Sequence, residues 1–166
     1  SFPSSWFQSL NSLFIIALAP VFAWIWVSMG DRGASTPVKF SLGLVLVGAG
    51  FALLAVAARF AEGGVQVSPM WLTVVYLLHT CGELCLSPVG LSAMTKLAPA
   101  RIAGLMMGVW FLATSVGNFI AGRLAGFYES MPLPTLFLNI AIYGIVAGLI
   151  LLPLSRPIKR LMGEVK

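Results

Sequence analysis

The sequence predicts an all-α membrane protein with several spanning helices. Of its 166 residues, 59% are hydrophobic and only 9% are charged, whereas a soluble domain carries about a quarter charged residues. The apolar residues form long runs along the whole chain, so a cleaved signal peptide does not explain them. A run of about 20 apolar residues is long enough to cross a bilayer as a helix. We therefore expect a polytopic helical bundle.

Five membrane spans are predicted, and short segments rich in glycine, proline or polar residues separate them. They cover about residues 6–29, 38–61, 69–97, 99–127 and 134–154. Proline stands near the start of each of the last four, where it fits the first helical turn. Residues 1–155 are expected to form one transmembrane bundle, and residues 156–166 a short basic tail.

The five spans differ in the polar and small residues that they carry. The first contains Gln8 and Asn11 in its first third and Pro20 in its interior, which membrane helices tolerate. The second is rich in small residues, the third carries Glu83, and the fourth carries Trp110. Three pairs of glycines four residues apart also occur, and such pairs let helices approach closely in lipid: Gly104 with Gly108, Gly122 with Gly126, and Gly144 with Gly148. Two interpretations of these pairs remain open. They serve generic helix packing, or the second and fourth spans are gating helices that slide against their partners.

The basic residues predict the orientation of the chain. Eight of the ten lie on the side that holds the first loop, the third loop and the tail. Because positive residues favour the cytoplasmic side, the tail is expected in the cytoplasm and Ser1 outside, in a cell (inner) membrane. The placement of these charges between apolar runs excludes a nucleic-acid-binding surface as the reason for the net charge of +5.

Glu83 is the residue that most needs an explanation. It is the only residue charged at neutral pH between Glu62 and Lys96, and it lies near the middle of the third span. An ionised group is costly at that depth and usually marks an ion or substrate path. It either holds helices together or binds a proton or a solute in an aqueous cavity.

Helical spacing separates the other reactive groups of the third span. His79 shares a face with Glu83, four residues away, while Cys81 and Cys85 lie on roughly the opposite face. These groups do not converge, so no metal site is expected, and the cysteines are expected to be small buried apolar groups. The sequence has no nucleophile–base pair and no Walker-type phosphate loop. We therefore expect neither an enzyme nor a bound cofactor.

Further residues could line a cavity at the depth of Glu83. Trp110 lies about eleven residues into the fourth span, roughly half the hydrocarbon thickness, and either packs in the core or lines that cavity. Gln8 and Asn11 either bond neighbouring helices or contact a polar solute. Ser87 and Pro88 follow Glu83 by one turn, where proline suits a bend.

Four stretches together resemble one family. They are residues 5–11, 35–40, 82–92 and 98–118, and they include Gly82-Glu83-Leu84-Cys85-Leu86-Ser87-Pro88 and Met106-Met107-Gly108-Val109-Trp110. In these stretches the chain is similar to the C-terminal half of bacterial proton-coupled oligopeptide transporters, which are members of the major facilitator superfamily. The resemblance extends over nearly the whole chain.

The resemblance implies that the spans are helices eight to twelve of a twelve-helix fold that moves di- and tripeptides with protons by alternating access. Glu83 then corresponds to the glutamate that meets the peptide amino terminus or a lysine of the other half. Asn11 corresponds to an asparagine near that amino group, and Trp110 to a tryptophan that shapes the pocket. Gln8 and Ser87 are added as substrate-binding candidates, and His79 as a second proton-coupling candidate.

The chain departs from the family pattern in two respects. Ser12 stands where many members have proline. Helices one to seven are missing, and with them a family motif on helix one and the basic groups that are expected to bind the peptide carboxylate. We expect this chain to be part of a longer polypeptide whose missing helices are its partner. Two alternatives remain: the same fold carrying another solute such as nitrate, and a small membrane subunit that does not transport.

Overall fold

The computed structural model describes residues 4–30 and 33–162, and all regular structure in these residues is helical. The five long helices coincide with the five predicted spans, and two short 3₁₀ turns flank the fourth. In chain order the elements are α1 (Ser4–Met29), α2 (Thr36–Glu62), α3 (Met70–Leu97), a turn (Ala100–Ile102), α4 (Ala103–Ala125), a turn (Gly126–Glu129) and α5 (Leu133–Met162).

Each of the five helices is long and apolar enough to cross a membrane. The chain is therefore a multi-pass membrane protein, as its composition predicts. Neither internal proline of the first three helices interrupts its helix: α1 runs through Pro20 and α3 through Pro88. A proline costs one backbone hydrogen bond there, which the rest of the helix and its neighbours compensate.

Helix α5 extends further than predicted. It continues to Met162, so residues 156–162, the first part of the predicted basic tail, are helical. Lys159 and Arg160 lie in its last turn, where positive charge is favourable next to the negative end of the helix dipole. The boundary predicted from hydropathy at residue 154 therefore marks the end of the apolar run and not the end of the helix.

Helix α2 is the centre of the bundle, with α5 on one side and α3 on another. Small residues allow both contacts. Towards α5, the Cα atom of Gly48 would lie only 3.2 Å from a Cβ added to Gly144. On the same interface the Ser41 hydroxyl, which is buried, donates a 2.6 Å hydrogen bond to the carbonyl oxygen of Gly148. The glycine pair of α5 is thus a true helix contact.

The contact between α2 and α3 is equally close. A Cβ added to Gly82 would lie 2.9 Å from the Gly43 carbonyl oxygen, and a Cβ added to Gly43 would lie 2.9 Å from the Gly82 carbonyl oxygen. The two backbones therefore touch at this point, directly before Glu83. Further along, the ring of His79 occupies the space that a side chain at Gly50 would need.

Helices α1 and α4 pack less tightly. Helix α1 contacts α3, and α4 has a smaller contact with α3, but no residue of α4 is buried. Within the described part of the chain, no atom lies within 4 Å of a Cβ added to any glycine of the other two predicted pairs, Gly104, Gly108, Gly122 and Gly126. A gating role for α2 and α4 stays a prediction.

Replacing Gly48 with alanine should destabilise the bundle. The new methyl group would lie 2.9 Å from the Ile145 amide nitrogen and 3.0 Å from the Ala141 carbonyl oxygen. These are backbone atoms, so the helices themselves must move apart. Overpacking of this kind costs about 1–3 kcal/mol, and we expect a lower midpoint of thermal unfolding for the purified protein in detergent.

The matched control for this substitution is Gly104→Ala, because nothing in the described chain lies within 4 Å of the added methyl group. Its midpoint should equal or slightly exceed that of the parent, since alanine favours a helix more than glycine does. Equal midpoints for Gly48→Ala and Gly104→Ala would contradict the packing of α2 on α5.

Candidate functional site

Glu83 lies near the middle of α3, and its side chain is exposed. The residue before it, Gly82, is buried against α2, so the carboxylate starts from a fixed point of the backbone. Ser87, one turn later on the same side of the helix, is also exposed. In the part of the chain that the structure describes, no hydrogen bond or ion pair joins the Glu83 carboxylate to another group.

Asn11 meets α3 close to Glu83. The Thr80 hydroxyl donates a hydrogen bond to the Asn11 side-chain oxygen Oδ1, with 2.7 Å between the two oxygens. Thr80 is fully buried, and Asn11 is partly exposed. Because Thr80 and Glu83 are three residues apart, they are neighbours on the helix surface. The structure thus brings two of the predicted site residues, Asn11 and Glu83, to the same part of α3.

His79 has a different environment from Glu83, although the helical spacing puts both on one side of α3. Its ring packs against α2, with 4.7 Å between the centroids of the His79 and Phe51 rings. The ring also fills the space above Gly50, and its nitrogen Nε2 is buried with no hydrogen-bond partner among the described residues. These contacts describe a packing residue, and a role for His79 in proton coupling stays a prediction.

The position of Trp110 in the sequence predicts that it lies level with Glu83, and this prediction is wrong. The tip of its ring contacts Gly90, seven residues or about 10 Å along α3 from Glu83. Counting eleven residues from the cytoplasmic start of the fourth span misplaces Trp110, because the contact depends on how α4 crosses α3. Its ring meets Phe40 edge-on, with centroids 6.4 Å apart, and lines an apolar cavity of about 250 Å³ between α2, α3, α4 and α5.

The remaining predictions from the sequence have mixed outcomes. Cys85 is fully buried and Cys81 partly buried, and both are free thiols, as expected for small apolar groups. The side chain of Gln8 lies outside the part of the chain that the structure describes. Substrate-binding roles for Gln8, Ser87 and Trp110 stay predictions.

A more polar cavity lies between the last turns of α1 and α3 and the first turn of α2. It measures about 390 Å³, and Lys39, Ser92 and Lys96 contribute to its lining. The Lys39 ammonium lies 4.6 Å from the centre of the Trp26 ring, a cation–π distance. Pro88, one of the residues discussed with Ser87 above, also lines this cavity, whereas Glu83, Asn11 and Trp110 do not.

Sequence reasoning missed the contribution of Thr80. A single threonine in a membrane helix carries little information, because its hydroxyl can bond the carbonyl of its own preceding turn. A usable signal is its spacing: Thr80 lies three residues before the only charged residue of the helix interior. Its partner Asn11 could be named only after the packing of α1 on α3 was known.

The arrangement can bind a cation. A carboxylate and an amide oxygen are both hydrogen-bond acceptors, and Asn11 bonds α3 at Thr80, three residues before Glu83. An ammonium group satisfies both and offsets the cost of an ionised carboxylate in this setting.

Comparison with known proteins places the chain among transporters. Residues 1–155 match the family model described as "PTR2: POT family". The chain is 48% identical over 159 residues to an uncharacterized transporter, YclF, of Bacillus subtilis (strain 168), covering 96% of this chain and 32% of that protein. It is 46% identical over 169 residues to the peptide transporter YePEPT of Yersinia enterocolitica subsp. palearctica, covering 98% of this chain and 33% of the relative.

Solved structures give the same result. A crystal structure of a peptide transporter POT in complex with sulfate superposes with a TM-score of 0.86 and 48% identity, over 95% of this chain and 32% of that one. A POT family transporter in complex with a thioalcohol-conjugated peptide gives a TM-score of 0.85 and 37% identity, over 91% of this chain and 31% of that one. The chain spans about a third of the length of these proteins, and it belongs to the POT family, as part of the C-terminal region of the major facilitator fold.

Proposed function

We propose that the complete protein containing this chain carries di- and tripeptides into the cell together with protons. The observation that supports this most directly is the exposed Glu83 carboxylate in the middle of α3, beside Asn11. The names of relatives agree with it: one is called peptide transporter YePEPT, and another, of Lactococcus lactis subsp. cremoris, is called di-/tripeptide transporter and is 41% identical over 162 residues, 98% of this chain.

Glu83 binds the ammonium end of the peptide in this proposal. Charge-assisted hydrogen bonds between an ammonium and a carboxylate are among the strongest that proteins make. Asn11 adds a neutral acceptor at the same point. The peptide carboxylate requires a cationic partner, which we assign to the first helices of the complete transporter.

Proton coupling follows from the cost of an unpaired carboxylate in the membrane. When the peptide leaves, Glu83 loses its cation, and uptake of a proton or pairing with a basic group of the other half removes the charge. A carboxylate that alternates among a peptide, a proton and a basic partner links the movements of peptide and proton. This is the condition for symport.

Alternating access requires two halves that rock against each other around a central site. The present chain supplies five helices of one half. In this proposal, seven further helices complete the transporter: six form the other half, and one completes the half to which this chain belongs. Helix α4, which carries Trp110, contacts α3 less extensively than α2 does, and we assign to it the movement relative to α3.

We also propose that the protein lies in the inner cell membrane with its basic tail in the cytoplasm. The support is the distribution of charge: eight of the ten basic residues lie on the tail side. The solute then approaches Glu83 from the opposite side, past the first residues of α1.

An anion such as nitrate is the second candidate solute within the same fold. The exposed carboxylate of Glu83 disfavours it, because a like charge raises the cost of bringing an anion to the site. No observation in the described chain supports the alternative of a subunit that does not transport.

Replacing Glu83 with glutamine in the full-length transporter should abolish uptake of a dipeptide driven by a proton gradient. Glutamine keeps the approximate size of the side chain but removes its negative charge and the group that binds a proton. We expect at least a tenfold loss of initial rate in proteoliposomes, while exchange of peptide for peptide without a gradient continues at a reduced rate.

The matched control is Glu62→Gln at the end of α2, because that carboxylate lies at the edge of its span and is exposed. Its uptake should equal that of the parent. Undiminished gradient-driven uptake by the Glu83→Gln variant would rule out the coupling role.

The proposed orientation predicts the behaviour of fusions placed after Lys166. A green fluorescent protein joined there should fluoresce, and alkaline phosphatase joined there should be inactive, because the latter folds only outside the cytoplasm. The opposite result, an active phosphatase and a dark fluorescent protein, would reverse the orientation.

A further inference from the structure

The hydrogen bond between Thr80 and Asn11 does more than join two helices. Thr80 is fully buried, and its hydroxyl donates to Oδ1 of Asn11 over 2.7 Å. A buried hydroxyl needs a partner, and in this structure the Asn11 oxygen is that partner. The Asn11 oxygen is thereby held towards the helix that carries Glu83.

The orientation of an asparagine amide decides what it can bind. Its oxygen accepts hydrogen bonds and its nitrogen donates them, while the terminal torsion of the side chain is broad and roughly two-fold. Without a fixed partner, Asn11 could present its N–H groups to the site, and these repel an ammonium. With Thr80 donating to Oδ1, the second lone pair of that oxygen remains for a ligand.

We propose that Thr80 is a positioning residue that holds the Asn11 oxygen towards α3, so that Asn11 and Glu83 together present acceptors to the ammonium group of the substrate. The inference rests on the proposed function, in which that ammonium binds at Glu83. It assigns Thr80 a role in selecting ligands with a free amino terminus, in addition to its part in packing.

The test compares two ligands and two substitutions in the full-length transporter. The ligands are a dipeptide with a free amino terminus and its N-acetyl analogue. Thr80→Val keeps the branched shape and removes the hydroxyl, and Thr80→Ser keeps the hydroxyl. We expect Thr80→Val to raise the Kd and KM of the free dipeptide about three- to tenfold, with little change in Vmax or in binding of the acetylated dipeptide, and Thr80→Ser to bind as the parent does.

A purely structural role would give a different pattern. Thr80→Val would then lower Vmax and thermal stability and change the Kd of both ligands by the same factor, and this result would overturn the proposal. So would a Thr80→Val variant that binds both ligands as the parent does. If Thr80→Val does not fold, Thr80→Ala takes its place in the same comparison.

A double substitution checks that Thr80 acts through Asn11. In an Asn11→Ala background, adding Thr80→Val should leave the Kd of the free dipeptide unchanged, because the group to be oriented is gone. A further loss equal to that in the parent would overturn the inference. Failure of the proposed function is recognised separately: the unsubstituted transporter would then bind the free and acetylated dipeptides equally well.

Discussion

The backbone contact between α2 and α3 at Gly43 and Gly82 fixes where the Glu83 side chain begins. A Cβ added to either glycine would lie 2.9 Å from the carbonyl oxygen of the other. Neither position therefore tolerates a side chain unless the helices separate. The next residue along α3 is Glu83. In lipid, helices are held together by close packing and hydrogen bonds more than by hydrophobic burial, and contacts of this kind are therefore what keeps the carboxylate in a defined position.

The hydroxyls buried between helices differ from the Glu83 carboxylate in their bonding. The hydroxyl of Ser41 bonds Gly148, and that of Thr80 bonds Asn11, and both are buried. Glu83 is exposed, with no partner in the residues that the structure describes. A charge in the middle of a membrane protein is costly unless it is paired or solvated. The proposed binding role of Glu83 rests on this contrast between buried, bonded hydroxyls and an exposed carboxylate in the middle of α3.

The sequence predicts the helices of this chain better than the contacts between them. Long apolar runs fix the five spans within a few residues, except at α5, whose helix continues into the basic tail because charge does not stop a helix. The importance of Glu83 is also evident from charge alone. The position of Trp110 opposite Gly90, the packing of His79 on Phe51 and the bond from Thr80 to Asn11 depend on how helices cross, and hydropathy carries no information about crossing.

The central claim is that Glu83 binds the amino terminus of the peptide, and a comparison of two ligands tests it most directly. The binding of a free dipeptide and of its N-acetyl analogue is measured by titration calorimetry for the full-length transporter and for its Glu83→Gln variant. The account predicts that the parent prefers the free dipeptide by at least about tenfold and that the variant loses this preference. A preference that persists in Glu83→Gln would show that the ammonium binds elsewhere, and it would contradict the central claim.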